Sequence, residues 1–227
     1  MTIGSRNRHF VVAIALAAAF PGYGCDGSRE PVILPMDEAL ATQLESHETL
    51  SEDSRLVLAG EQEPGRRLKI LGQLVRAESG EPLADWTIQL FQADSEGSYD
   101  ESQPGVESTA RIRGSVRTDP GGRFTISTVM PGDYGSTKLN RHIHISVPGA
   151  DPEAYDFYFR PYVNDGLRSW AENSDQAILV DLRVSPSGML VGSAVVPAKR
   201  VREARLPESP IAVCSVSLLE RSVLRPM

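Results

Sequence analysis

Short apolar, β-branched runs recur along most of the chain, and polar turns rich in glycine and proline separate them. Seven strand-like runs lie at residues 68–75, 85–93, 123–129, 141–147, 156–163, 177–184 and 189–197. The clearest turns are ESGEP at 78–82, DPGG at 119–122 and MPGDYG at 130–135. Runs of this length and spacing predict an all-β fold in which two sheets pack as a sandwich.

The folded domain is predicted over residues 67–200. The preceding segment, 26–66, is rich in Glu, Ser and Pro and has weak hydrophobic periodicity. We therefore expect a weakly structured spacer there, with room for a short helix. His47 lies in this segment without a metal-ligand partner nearby, and we expect it to be exposed to solvent. The last segment, 201–227, is basic and then apolar, and its role stays unassigned.

The first 25 residues resemble an export signal. Arg6 and Arg8 precede an apolar run of about eleven residues, which is too short to span a bilayer comfortably. Small residues and Cys25 follow, as in a bacterial lipoprotein signal. The sequence thus predicts a periplasmic or cell-surface protein, with plain secretion and lipid attachment at Cys25 both open. Cys214 is either a lone thiol or, if Cys25 is retained, its disulfide partner.

Composition is that of a soluble domain with a real core. The chain has 227 residues, of which 41% are hydrophobic and 23% are charged. The formal net charge is −7 at pH 7. Non-specific nucleic-acid binding needs a basic face, so nucleic acid is not expected among the partners.

Two of the chain's four histidines stand one residue apart in the run RHIHIS, residues 141–146. Alternate residues of a strand project to the same face, so His142 and His144 are predicted side by side. Ile143 and Ile145 would occupy the other face. The pair alone is compatible with a metal site and with two polar residues on a solvated face.

Four motifs extend this observation: FQADSEGSYD, RTDPGGRFTISTVMPGDY, HIHISV and YDFYF. Together they resemble the intradiol ring-cleavage dioxygenases, over about residues 68–165. The likeness is to the compact protocatechuate 3,4-dioxygenase type or to exported single-domain relatives, and it implies a prealbumin-like β-sandwich of about seven to nine strands. Within it, Asp119 with Gly121 or Gly122 suits a turn, Phe124 fills the core, and Gly132 permits a positive φ.

The resemblance also implies a metal site. In that family two tyrosines and two histidines bind a mononuclear non-haem Fe(III), and here they correspond to Tyr99, Tyr134, His142 and His144. Anionic phenolate oxygens suit a hard ferric ion, and imidazoles complete the ligand set without adding charge. Tyr134 corresponds to the ligand that the substrate displaces. The implied reaction uses O2 to cleave a catechol-type ring between its two hydroxylated carbons, which yields a muconate-type dicarboxylic acid.

Two positions depart from the family pattern. Bacterial members carry an arginine three residues before the first histidine, where this chain has Leu139. The nearest cations are Lys138 and Arg141, and we take Arg141 as the candidate catalytic cation although its strand parity places it opposite the ligands. A glutamine of the family is replaced by Asp156.

Substrate specificity is expected in the loop at 100–114. Arg111 and Arg113 of that loop either meet a substrate carboxylate or lie exposed to solvent. Two alternatives to the enzyme remain: a non-catalytic prealbumin-like binding domain at the cell surface, and an iron-binding relative without oxygenase activity. The sequence leaves the particular catechol and the oligomeric state open.

Overall fold

The computed structural model describes residues 30–201, except 101, 104, 136 and 200. The described elements belong to one compact unit that begins at Pro31. The predicted signal segment, both cysteines and all but the first residue of the tail 201–227 lie outside the described residues. Across the described range, no helix is long and apolar enough to cross a membrane.

Ten strands of the described chain form two five-stranded sheets. The strands are β1 Arg55–Val57, β2 Arg67–Arg76, β3 Thr87–Gln92, β4 Ile112–Arg117, β5 Arg123–Val129, β6 Asn140–Ser146, β7 Ala154–Val163, β8 Ala177–Val180, β9 Leu182–Val184 and β10 Leu190–Ala198. The first sheet has the order β1-β5-β2-β10-β9, and the second has the order β4-β3-β6-β7-β8. Two α-helices, α1 Glu38–Glu48 and α2 Asp165–Glu172, complete the unit with short 3-10 turns at 52–54 and 107–109.

The apolar faces of the two sheets share one core. In β3 the side chains alternate, since Thr87 and Gln89 are exposed whereas Ile88 and Leu90 are buried. The first sheet contributes fully buried side chains such as Phe124, as expected. Burial of apolar area at about 25 cal/mol per Å² is the main force that holds such sheets together. The predicted all-β sandwich is therefore confirmed, with ten strands in the described chain where about seven to nine were expected.

One predicted strand is in fact two. The run 177–184 breaks at Asp181, where the chain passes from one sheet to the other. β8 pairs in parallel with β7 of the second sheet, whereas β9 pairs antiparallel with β10 of the first. The apolar pattern continues through the break because both halves face the same core, and the sequence therefore shows no boundary.

The segment predicted as a weakly structured spacer carries the short helix for which the prediction left room, α1, but also β1, which the prediction did not include. Asp37 caps α1, and its carboxylate accepts a hydrogen bond from the Leu40 N–H at 2.9 Å. β1 pairs in parallel with β5. The hydrophobic signal is weak because, of the α1 residues, His47 is the one that is buried.

The prediction that His47 is solvent-exposed is wrong. Its side chain is 4% exposed. The ring Nδ1 lies 2.9 Å from the Gln43 carbonyl oxygen, and Nε2 lies 3.4 Å from the Gly72 carbonyl oxygen of β2. His47 thus connects α1 to the first sheet, in a polar role that a search for apolar periodicity does not detect.

Candidate metal centre

Two turns place the two motif tyrosines next to each other. Tyr99 follows β3 after a turn held by Asp94, whose Oδ1 accepts hydrogen bonds from the N–H groups of Glu96 and Ser98. Tyr134 follows β5. The two turns are joined because the Gly132 N–H donates to the Asp94 carbonyl at 2.7 Å.

Glycines allow this close approach. A Cβ on Gly97, which has φ +87°, would lie 2.1 Å from the Asp133 carbonyl oxygen. A Cβ on Gly132 would lie 2.5 Å from the Gly97 nitrogen. Gly132 is not among the residues with positive φ, so the predicted reason for this glycine is wrong. It is needed because two backbones touch there, not because of its own dihedral angles.

Strand β6 presents both histidines on one side, as predicted. Ile143 and Ile145 point into the core with 0% and 2% exposure. His142 and His144 project from the other face, and their Nε2 atoms lie 3.1 Å apart. A register shift between Asn140 and His142 accompanies this part of the strand.

The hydrogen bonds of the two rings determine their tautomers. Nδ1 of His142 lies 2.5 Å from the Asn140 carbonyl oxygen, and Nδ1 of His144 lies 2.8 Å from Asp156 Oδ1. Both partners are acceptors, so each Nδ1 carries a proton and donates it. Burial lowers the pKa of His142 below its ordinary value, which favours the neutral ring. With Nδ1 as the donor, Nε2 is the ring atom of each histidine that is left to bind a metal.

The tyrosine hydroxyls complete the cluster. Tyr99 is 1% exposed, and its hydroxyl donates to His144 Nε2 at 2.8 Å. The Tyr134 ring lies 5.4 Å from the Tyr99 ring and 5.5 Å from the His142 ring, centroid to centroid. Its hydroxyl donates to Glu107 Oε1 at 3.2 Å. Burial and the nearby Glu107 carboxylate raise the pKa of both phenols.

This donor set fits a ferric ion. Two lone pairs that face each other at 3.1 Å repel unless a proton or a cation lies between them. Imidazole nitrogens lie about 2.1 Å from a transition metal, so two neighbouring ligands of one ion are about 3 Å apart. The Tyr99 hydroxyl lies beside them and the Tyr134 ring lies next to His142, and both phenols, once deprotonated, would supply the hard, anionic donors that Fe(III) prefers. The residues present therefore match the predicted ligand set.

Asp156 belongs to the same site as a partner of a ligand. Together with His142 and His144 it offers ligand atoms that all lie within 4.8 Å of one another, so these three could hold a cation by themselves. Its Oδ1, however, is bonded to His144 Nδ1, which lies on the ring edge away from Nε2. In that position the carboxylate orients the imidazole and increases its basicity towards a metal.

Three further residues line or support the site, and the sequence motifs did not single them out. Phe91 stacks on the His144 ring with 4.4 Å between centroids. The Tyr158 ring lies 5.0 Å from that of His142, and its hydroxyl donates to Asp156 Oδ2 at 3.4 Å. Glu107 contacts Tyr134. Phe91 is recognisable once β3 and β6 are known to pair, but no pattern in the loop marks Glu107.

A cavity of about 570 Å³ opens over these groups. Its lining combines ligand candidates with polar residues and the start of α2. The lining residues are Glu107, Tyr134, Thr137, Asn140, His142, His144, Asp156, Tyr158, Asn164, Gly166 and Leu167. A space of this size, polar on one side and next to a cluster of donors, suits a small aromatic ligand.

Arg141 does not reach the cavity. Its guanidinium carbon lies 4.3 Å from the centre of the Tyr162 ring, and its Nε lies 3.7 Å from Asp133 Oδ1. The strand parity that separates it from the two histidines is the physical reason. Its predicted catalytic role is therefore not supported by its position. Lys138 is exposed and is not part of the lining either.

The two loop arginines are engaged elsewhere. Arg111 forms an ion pair with Glu63 at 2.6 Å and a second one with Asp94 at 3.3 Å. Arg113 belongs to β4, which lies partly in the segment expected to be a loop, and it donates to the backbone carbonyl of Ser108 at 2.6 Å. Both residues are exposed, and neither lines the cavity.

Sequence comparison gives matches to dioxygenases. The family model described as Dioxygenase matches residues 43–151. Catechol 1,2-dioxygenase 2 from Acinetobacter lwoffii is 32% identical over 108 residues, and the match covers 38% of this chain and 38% of that protein. Catechol 1,2-dioxygenase 1 from the same organism is 34% identical over 62 residues, which cover 27% of this chain and 20% of that protein. The chain thus matches well under two thirds of the length of these relatives.

Solved structures with a similar arrangement include the dioxygenase domain of a dioxygenase–carbohydrate-binding fusion from Streptomyces sp. SirexAA-E. It is 24% identical, covers 66% of this chain and 92% of that chain, and has a TM-score of 0.48. 3-Chlorocatechol 1,2-dioxygenase from Rhodococcus opacus 1CP is 20% identical, covers 72% of this chain and 79% of that chain, and also has a TM-score of 0.48.

Fold and site together define a two-sheet β-sandwich that carries two tyrosines and two histidines in one cluster beside a cavity. The family match and the curated relatives agree with the motifs in which these four residues stand. Over residues 43–151 the chain is similar to a dioxygenase family, in agreement with the resemblance of its motifs to the intradiol ring-cleavage dioxygenases.

Proposed function

We propose that this chain is a non-haem Fe(III) dioxygenase that cleaves a catechol-type ring between its two hydroxylated carbons to a muconate-type dicarboxylic acid. The observation that carries the proposal is the cluster of two tyrosine rings and two imidazoles beside one open cavity. The curated relatives are catechol 1,2-dioxygenases, which supports the same substrate class.

Tyr99, Tyr134, His142 and His144 would hold the ion. Bound Fe(III) would draw electron density from a chelating aromatic diol and so activate its ring towards O2. Tyr99 is buried and is anchored by its contact with His144, which suits a permanent ligand. Tyr134 lines the cavity and is less buried, so it is the phenol that an incoming diol can replace. Its hydroxyl oxygen, once released, can take up a substrate proton.

The surrounding residues orient this set. Asp156 holds the His144 ring through Nδ1, and Phe91 stacks against the same ring, so the direction of Nε2 is fixed from two sides. Asn140 fixes the His142 ring in the same way through its carbonyl oxygen. Side chains that are already fixed in the binding orientation lose less conformational entropy when the metal binds.

The test is iron loading followed by spectroscopy and turnover. Iron-loaded protein should show a broad tyrosinate-to-iron band in the visible, and Tyr134→Phe should shift it. Tyr155→Phe, which changes a core tyrosine of β7 outside the cluster, is the matched control. Oxygen uptake with catechol, protocatechuate and hydroxyquinol, together with detection of a ring-opened dicarboxylic acid, tests the reaction. A colourless, iron-free protein after reconstitution would contradict the proposal and favour a non-catalytic binding domain.

A second candidate function has an observation in its favour. The position of the family's arginine is taken by Leu139, and Arg141 turns towards Tyr162. A relative that binds iron but does not oxygenate would have the same four ligands. A coloured protein that binds catechol but shows no oxygen uptake would establish this second function instead.

We also propose that the protein is exported and lies in the periplasm or at the cell surface, with Cys25 as the site of lipid attachment. The support is the basic and then apolar sequence of residues 6–20 followed by Cys25. Fractionation of cells that express the full chain tests it. Membrane association that Cys25→Ser abolishes would support lipidation, and a soluble periplasmic protein would indicate plain secretion. Retention in the cytoplasm would contradict export.

A further inference from the structure

The cavity beside the ligand cluster is acidic. Glu107 and Asp156 both line it, whereas none of its described lining residues is a lysine or an arginine. An incoming aromatic diol therefore meets carboxylates on the protein side and no side-chain cation among the groups described there.

The arginines nearest in sequence to the lining residues are engaged elsewhere. Arg113 donates through Nη2 to the Ser108 carbonyl and through Nε to the Ala110 carbonyl. Arg168 of α2 donates to the Arg160 carbonyl at 3.4 Å. Arg141 lies on the Tyr162 ring, and the ion pairs of Arg111 with Glu63 and Asp94 engage its guanidinium. Among the described residues, the arginines of this region thus offer no arrangement that would receive a substrate carboxylate in the cavity.

The two carboxylates differ in how they are engaged. Asp156 has a partner on each oxygen, His144 Nδ1 on Oδ1 and the Tyr158 hydroxyl on Oδ2. Glu107 accepts from the Tyr134 hydroxyl at 3.2 Å, and its side chain is 45% exposed. A carboxylate has about four acceptor sites, so Glu107 retains capacity for a ligand. Its Oε1 lies 4.0 Å from His144 Nε2, at the edge of the cluster where a chelated diol would bind.

We propose that Glu107 makes this site select catechols with a cationic ring substituent over catechols of similar shape with a carboxylate substituent. The inference rests on the proposed function, because it presumes that the diol binds at the cluster. Charges interact appreciably when they are closer than the screening length, which is about 10 Å at 0.1 M salt. A charged substituent on a diol bound at the cluster would lie within this distance of Glu107. An interaction between two partly exposed charges changes a dissociation constant by up to about fivefold. Because Glu107 attracts the cationic ligand and repels the anionic one, the dissociation constants of the two ligands should differ by about tenfold.

Three ligands of similar size separate charge from shape. They are 2-(3,4-dihydroxyphenyl)ethylamine, 4-ethylcatechol and 3,4-dihydroxyphenylacetate, which are cationic, neutral and anionic at pH 7. Dissociation constants are measured by titrating iron-loaded protein without oxygen and following the visible band. In the wild type, the amine should bind about tenfold more tightly than the acid, with 4-ethylcatechol between them. Higher salt should reduce the ratio.

Two variants assign the effect to Glu107. Glu107→Gln should bring the ratio of the two dissociation constants down to about threefold or less, and Glu107→Lys should invert the preference. Glu61→Gln is the control, because it removes the same charge from an exposed site that does not line the cavity. This control should keep the wild-type ratio.

The outcomes distinguish this inference from the proposed function. If all three ligands bind with equal dissociation constants, or if Glu107→Gln keeps the wild-type ratio, the role of Glu107 is overturned while the diol site stands. If no catechol binds to iron-loaded protein, the proposed function fails and the inference fails with it. A tighter complex with the acid than with the amine would overturn the charge preference directly.

Discussion

Nδ1 of His144 lies 2.8 Å from Oδ1 of Asp156, so a carboxylate stands behind one of the two histidines of the candidate metal centre. Such a partner fixes the tautomer of the ring and directs Nε2 towards the metal. At this position the family pattern has a glutamine, whose neutral amide is a weaker acceptor than a carboxylate. The chain thus combines the four residues that the family pattern predicts as ligands with a carboxylate partner for one imidazole.

We expect Asp156→Ala to weaken iron binding about ten- to a hundredfold, because the His144 ring loses its orienting acceptor. Asp156→Asn should lose less, since the amide oxygen still accepts from Nδ1. Competition with a chelator, followed through the visible band, measures both. Asp53→Ala, at an exposed position outside the centre, is the control. Unchanged iron affinity in Asp156→Ala would show that the carboxylate does not support the site.

The contact between the two tyrosine turns gives a second prediction. Gly132→Ala would force the turn of Tyr134 away from that of Tyr99, since the new Cβ meets the Gly97 nitrogen and the Ser95 carbonyl oxygen within 2.6 Å. We expect the iron content per protein to fall and the free energy of unfolding to drop by about 1–3 kcal/mol. Gly60→Ala is the matched control, because nothing lies within 4 Å of its added Cβ. Full iron content in Gly132→Ala would contradict this account.

The raised pKa values of Tyr99 and Tyr134 predict the pH dependence of iron binding. Burial and the Glu107 carboxylate raise the pKa of both phenols above the ordinary value of about 10. Both phenols are therefore neutral at pH 7 before iron binds. Each phenol that becomes a ligand must lose its proton, so protons compete with iron and the apparent affinity rises with pH. Iron addition to weakly buffered protein should release protons, and Tyr99→Phe and Tyr134→Phe should each release about one fewer. Release that neither variant changes would exclude phenolate ligation.

His47 tests whether the segment before the domain is part of the fold. We expect His47→Ala to lower the free energy of unfolding by about 1–3 kcal/mol, because a buried side chain and its contact to Gly72 are lost. Urea unfolding measures the change. Glu45→Ala changes an exposed position on the same helix and should have little effect. Equal stability of both variants would mean that α1 does not contribute to the unit.

Much of the fold could be predicted because strands with one buried face have a two-residue period. β2, β5 and β6 are within one or two residues of their predicted ends. β4 was missed because its polar positions, such as Arg113 and Ser115, resemble the loop that precedes it. β1 has three residues and the amphipathic α2 has eight, and both are too short for a periodic signal.

The four ligand candidates could be predicted because the motifs in which they stand resemble those of a known family, whereas strand parity alone placed only His142 and His144 side by side. The structure does not support the predicted catalytic role of Arg141, because strand parity directs its side chain away from the histidines. Glu107 could not be found, because a glutamate in a polar loop has no distinctive neighbours in sequence. It reaches Tyr134 across 27 residues only through the path of the loop.

By itself, the sequence determined most of the sheet-forming segments, the placement of His142 and His144 on one face, and the residue types suited to a ferric ion. These follow from period, parity and donor chemistry, which are properties of neighbouring residues. Only the tertiary structure decided that Asp156 and Glu107 lie at the site, that Arg141 lies outside it, and that His47 is buried. Each of these outcomes depends on distances between segments far apart in the chain, which are set by how the two sheets and their loops pack.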